Sequence, residues 1–279
     1  MSKNSLNLTK DPISVLFVKI AIPSSVGTVF MTLYNLVDTY FAGKISAEAL
    51  AALAQTFPVY FIIIAIGVGL SIGTTSLIAN ALGEKDQKKG SYYLAQSIGL
   101  SIITSILVSL VGIYFGPSII LLMNDSEVTM KLSMEYLNII FLGSIFILVQ
   151  MTMNSSLSAI GDTKSNRNVL IVSFFLNILL NPLFIFGYGI IPAMGIKGIA
   201  VSTITSQALG TFYIIFKVYK TEFKEYLYLQ CFKPKFKILL DLLSQGIPAA
   251  LGMMMISVGV FIILFFISQY GDLALAGYG

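Results

Sequence analysis

The 279-residue chain is 56% hydrophobic and only 11% charged, with a mean hydropathy of +0.88 and a net charge of +4. A soluble globular domain carries roughly a quarter charged residues, so this composition argues against one. Apolar runs of about 20 residues without period-two alternation point to membrane helices rather than a barrel, because a helix satisfies its own backbone in hydrocarbon.

The opening MSKNSLNLTKDP holds no short apolar segment ending in a cleavage site, so the first helix is expected to be retained. Seven membrane helices are predicted at about 15–42, 57–81, 92–115, 133–157, 168–190, 197–219 and 243–268. Helix one carries Pro23, an expected kink, followed by Tyr34, Asn35 and Asp38. Of thirteen acidic residues, Asp38 alone falls well inside a predicted helix. A carboxylate there costs at least about 2.5–3.5 kcal/mol on insertion scales, which makes it a functional candidate by default. The neutral acid is far cheaper in that setting than the ion, so Asp38 is a candidate proton carrier. The competing reading is an acid that simply reaches interfacial water.

Helix two holds Gly69 and Gly73, a small-xxx-small packing face. Helix four contributes Gln150 and Asn154, and helix six Gln207. With Tyr34 and Asn35 these are candidates for a substrate cavity, where Tyr34 could stack on a cation, or for interhelical hydrogen bonds alone. On helix five Asn177 and Asn181 stand one turn apart on one face, and Thr203 comes early in helix six. These are candidate partners for Asp38. Cys231, the single cysteine, reads as a spare thiol in a polar stretch, and Pro248 as a kink in helix seven.

The segments on the N-terminal side of the membrane hold fourteen Lys and Arg against three (Lys44, Lys131, Lys197) on the other. The positive-inside rule therefore predicts a multi-pass protein of the inner, cytoplasmic membrane with a cytoplasmic N-terminus. The basic residues then lie near anionic lipid, and nucleic-acid binding is not expected. There is no histidine, no metal-ligand cluster and no nucleotide-binding loop, so neither a metal site nor an enzyme is expected.

An internal repeat links the two ends. Lys19–Ala54 laid on Ser244–Gly279, a shift of 225, matches at seven of 36 positions, including Ile22-Pro23 on Ile247-Pro248 and Ala49-Leu50-Ala51 on Ala274-Leu275-Ala276. Parallel repeats are a transporter signature. The expected fold is all-α and integral to the membrane: one complete six-helix lobe (1–220), a cytoplasmic inter-lobe linker (221–242), and helix seven with its following loop as the start of a second lobe (243–279). On this reading the chain is the first part of a roughly twelve-helix protein.

Four motifs in order carry a family resemblance: IAIPSSVGTVFMTLYNLVDTYFAGKISAEALAALAQTFPV, GVGLSIGTTSLIANALGEKD, SAIGDTKSNR and NILLNPLFIFGYGIIPAMGIKGIAVSTITSQ. They resemble the MATE multidrug and toxin exporters, in their DinF-like and MepA-like branch. The resemblance implies two lobes around a central cavity, with a cation gradient, H+ or Na+, driving export of organic cations by a monomer in membrane lipid without a cofactor. It also implies that Asp38, fifteen residues after Pro23, matches an essential acid, and that Asn177 and Thr203 match residues contacting that acid or its cation. Asn181 departs from the pattern, since many members have a second aspartate there. One carboxylate fewer disfavours sodium and leaves protons as the expected coupling ion. Another branch carries its acid on helix seven, where this chain has Ile263 at the position matching Asp38. The rival reading within the superfamily is a lipid-linked oligosaccharide or polysaccharide flippase, whose pyrophosphate would call for basic residues in the cavity. More remote are a membrane-embedded enzyme and a channel.

Overall fold

A computed structural model describes residues 11–123 and 126–278. Lys3 and Lys10 of the charge count, Asn124 and Asp125 of the third connection, and the closing Gly279 lie outside the described residues. Seven long helices form a membrane bundle: α1 (Ile13–Ile45), α2 (Ala47–Gly83), α3 (Gln87–Leu121), α4 (Glu127–Ala159), α5 (Lys164–Phe186), α6 (Ile196–Tyr219) and α7 (Phe236–Ser268), followed by a short α8 (Asp272–Tyr278). Each of the seven is long and apolar enough to cross a bilayer.

Most helices run past the apolar stretches that mark them in the sequence. α2 begins ten residues earlier than predicted because Ser46, extended at φ −171°, caps it by accepting from the Ala49 amide at 3.1 Å. Pro58 is then accommodated inside the helix. α4 is capped by Ser126, whose side chain accepts from the Thr129 amide. Glu135, predicted at a helix edge, therefore sits two turns inside, where it pairs with Lys197 at 3.4 Å. α5 stops at Phe186, short of the predicted end, because Gly187 takes φ +75° and the chain turns back through a Tyr188–Ile191 bridge.

α7 starts at Phe236, not near 243, so the stretch expected as linker is partly helical and Asp241 falls in the second turn, half-buried. The remainder of that stretch forms two 3-10 turns, Glu222–Tyr226 and Leu229–Phe232. They are held against α3: Phe223 is buried, and Gln96 donates to the carbonyls of Cys231 (2.5 Å) and Lys233 (2.8 Å) while accepting from the Lys235 amide (2.8 Å). Cys231 is a free thiol, and it is buried.

α7 runs antiparallel along α2. The Gly69–Gly73 face permits this approach, since a Cβ on Gly69 would stand 2.7 Å from the Gly246 carbonyl and one on Gly73 2.5 Å from that of Leu242. Further along, Ser257 donates to the Pro58 carbonyl at 2.7 Å. The repeat extends to the elements themselves: α8 begins at Asp272, the residue 225 positions after Ala47, where α2 begins. Pro23 and Pro248 both lie inside their helices, α1 and α7.

The lysine-rich connections gather at one end of the bundle. The α4–α5 turn meets α1 there, with Thr163 donating to the Ile20 carbonyl at 3.5 Å, and the α6–α7 segment docks on the start of α3. Lys224 and Lys235 lie over the rings of Tyr219 and Tyr92 at 4.1 and 4.6 Å. Most of the outer surface is apolar, as lipid requires: Phe17, Leu36, Leu110, Leu142, Leu179 and Phe212 are all more than 60% exposed.

Candidate functional site

α1 carries Asp38 on the face that packs against α5 and α6, and the carboxylate is only 7% exposed. Asn177 and Asn181, one turn apart on α5, both donate to Asp38 Oδ1 at 2.8 Å. Thr203, from the second turn of α6, donates to Oδ2 at 3.3 Å. A further bond joins Asn181 Nδ2 to Asn177 Oδ1 at 3.2 Å. All four residues singled out in the sequence as an acid and its partners are therefore in one cluster. Asp38 is buried within the lobe, at the wall of a cavity.

The cluster solvates a carboxylate without neutralising it. Its three donors are neutral, and the ion pairs Lys89–Glu84 and Lys197–Glu135 lie elsewhere. An isolated buried charge is expensive, so the site favours either a proton on Asp38 or a cation beside it. Asn181 Oδ1 is fully buried and accepts no hydrogen bond among the described residues. It offers one more oxygen to a cation or to the proton of a neutral Asp38.

One cavity opens on this cluster and a second adjoins the first. The first, about 360 Å³, is bounded by Asp38, Thr203, Asn35, Thr56, Tyr60 and Tyr136 among others. The second, about 290 Å³, is lined by Tyr34, Asn35, Gln150, Asn154 and Gln207, all five of the residues picked from the sequence as cavity candidates. Asn35 and Tyr60 belong to the walls of both. Gln150 Oε1 and Asn154 Oδ1 are buried with no hydrogen-bond partner among the described residues, so the second cavity presents acceptors in want of a donor. Neither cavity is lined by Lys or Arg. Tyr60, Thr56 and Tyr136 were not distinguishable in the sequence, since tyrosine and threonine are ordinary in such helices and only packing tells which face the acid.

Fold and site together define a multi-pass membrane protein whose helical lobe, followed by the start of its repeat, encloses a polar cavity bordered by one buried acid. The chain belongs to the MatE family, whose model matches residues 23–183. It is 26% identical to the multidrug export protein MepA of Staphylococcus aureus (strain MRSA252), over 97% of this chain and 59% of that protein. With the probable multidrug resistance protein YoeA of Bacillus subtilis (strain 168) it shares 28% identity over 92% of this chain and 57% of the relative. The chain thus spans under two thirds of the length of these relatives. Among solved structures, an inward-facing multidrug resistance MATE transporter of the MOP superfamily superposes with a TM-score of 0.81, at 26% identity over 94% of this chain and 59% of that one. An outward-facing conformation of a MATE family transporter gives 0.79, at 28% identity over 88% and 54%.

Proposed function

We propose that this chain forms the first lobe and helix seven of an antiporter that exports organic cations across the cytoplasmic membrane, with its N-terminus in the cytoplasm. The division into a lobe (1–220), a linker (221–242) and the start of a second lobe belongs to the same proposal, as does action as a monomer. The observation that carries the reading is Asp38, a buried carboxylate held by three neutral donors beside a cavity free of basic residues. Such a group exchanges one positive charge for another. A proton on Asp38 and a cationic substrate in the adjoining cavity compete, and alternating access turns that competition into transport.

Protons are favoured over sodium because the site has one carboxylate, with Asn181 contributing an amide where a second acid would strengthen a metal ion's hold. The absence of Lys and Arg from both cavity walls speaks against a flippase of pyrophosphate-linked lipids. The test is dye efflux from cells producing the full-length protein or its Asp38→Asn variant, at matched membrane abundance. Efflux should fall to the level of cells without the protein. Wild-type efflux with an unchanged pH dependence would remove Asp38 from the mechanism.

A further inference from the structure

On the outer face of the lobe a groove of about 340 Å³ runs between α5 and α6. Its walls are the α5 residues Val169, Val172 and Ser173 and the α6 residues Ser206, Leu209 and Gly210. Apolar side chains of its own wall stand exposed, Val172 at 55% and Leu209 at 49%, so its mouth faces lipid. It lies in the half of both helices nearer the start of α5 and the end of α6, the side read as cytoplasmic.

Three features separate it from an incidental seam. First, Val169 and Ser173 also line the polar cavity of Gln150 and Asn154, so a single layer of side chains divides groove from cavity. Second, the α6 side of the seam has a notch at Gly210. A Cβ there would stand 2.8 Å from Val169 Cγ1 and 2.9 Å from Gln150 Oε1, so the missing side chain leaves the cavity's acceptor directly behind the groove floor. Third, the Ser206 hydroxyl, in a residue 1% exposed and lining the groove, has no hydrogen-bond partner among the described residues, and neither has Gln150 Oε1 behind it. Unmet buried polar groups of this kind are uncommon and mark places where a ligand or water supplies the partner.

We propose that this groove is a lateral entrance through which amphipathic organic cations pass from the membrane into the polar cavity. The occupant follows from the order of the chemistry along the path. An apolar groove receives a hydrophobic body, and hydroxyl and amide oxygens come next. The cavity beyond shares Asn35 and Tyr60 with the chamber of Asp38, where the negative charge resides. No basic residue lines the groove or either cavity; the nearest guanidinium, that of Arg167, is tied to Asn168 Oδ1 at the end of the groove nearer the start of α5. A lipid acyl chain would suit the groove alone but has no use for the acceptors behind it. The inference rests on the export reading above, since it assigns the way in to the same cavity.

These 279 residues hold no tryptophan, so once any tryptophan in the rest of the full-length protein is replaced by phenylalanine, a single introduced one serves as a local reporter. Leu209→Trp puts an indole in the groove wall, and Phe212→Trp puts one on the lipid face outside it. The full-length protein in nanodiscs is titrated with a nitroxide-labelled alkyltrimethylammonium probe, which quenches at short range, and separately with a doxyl-labelled phospholipid. The cationic probe should quench Leu209→Trp saturably, reversed by tetraphenylphosphonium, and quench Phe212→Trp only in proportion to its concentration in the membrane. Adding Val172→Lys at the mouth should weaken the saturable phase by about tenfold, the effect of one like charge at partly screened range. Equal, unsaturable quenching at both positions would overturn the entrance. So would quenching by the doxyl lipid that tetraphenylphosphonium leaves untouched, which would make the groove an acyl-chain site. If the groove fails these tests while Asp38→Asn still abolishes efflux, the route is wrong and the export reading stands. If the groove binds cations and Asp38→Asn exports normally, the reverse holds.

Discussion

Replacing Asn181 with aspartate sets a second carboxylate against Asp38 with little change in side-chain volume. Asn181 Nδ2 is 2.8 Å from Asp38 Oδ1, so the variant brings two oxygens to about that separation. Two unit charges at that distance repel by about 6 kcal/mol at an effective dielectric constant near 20. That is several times the interhelical hydrogen bond it replaces, which is worth about 0.6 kcal/mol. The pair therefore has to hold a shared proton or a bound cation. The account predicts that Asn181→Asp acquires sodium binding that the wild type lacks. Thermal unfolding of the detergent-solubilised protein, in sodium chloride against choline chloride at matched ionic strength, reads this directly. Sodium at 100 times its Kd would stabilise the variant by about 2.7 kcal/mol, against no sodium-specific effect on the wild type. The reasoning is refuted if the variant folds with wild-type stability, shows no preference for sodium and takes up no additional proton.

Three further predictions follow from particular contacts. Gly246→Val should drive α7 off α2, because even a Cβ at Gly246 would lie 2.7 Å from the Gly69 carbonyl; overpacking of this kind costs about 1–3 kcal/mol, measured as a lower midpoint in denaturant. Gln96→Leu strips hydrogen bonds from the backbone of Cys231, Lys233 and Lys235 at once. The α6–α7 segment should then open to trypsin at Lys224 and Lys235 at least several-fold faster, while the transmembrane fragments stay intact. Thr203→Val removes the longest bond to Asp38, at 3.3 Å, and Asn177→Ala a shorter one at 2.8 Å. Carbodiimide labelling of Asp38, followed by mass spectrometry, should therefore rise more in Asn177→Ala than in Thr203→Val.

The helices were legible because hydrophobic length is a strong signal, and Asp38 because a lone acid in hydrocarbon has few innocent explanations. The spacing of Asn177 and Asn181 put two amides on one face, and the packing of α5 on α1 turned that face to the acid. Helix ends were less legible. The terminal turns carry charges and sit at the interface, so hydropathy drops before the helix stops, as at the start of α7, where Lys237 and Asp241 precede the apolar run. The role of Gln96 was hidden for another reason. Its partners are backbone groups more than 130 residues away, and a backbone carbonyl leaves no mark in sequence. The groove between α5 and α6 depends on the notch at Gly210, and one glycine among 23 does not announce which neighbour it makes room for.

The central claim is that a proton on Asp38 and a cationic substrate exclude one another. The direct measurement is proton release when tetraphenylphosphonium binds the full-length protein in weakly buffered detergent, followed with a pH indicator and compared with Asp38→Asn. The account predicts that wild type releases protons in proportion to ligand bound, in the pH range where Asp38 is protonated, and that Asp38→Asn binds without releasing any. Equal release from the two proteins, or binding to wild type that displaces sodium and no proton, would contradict it.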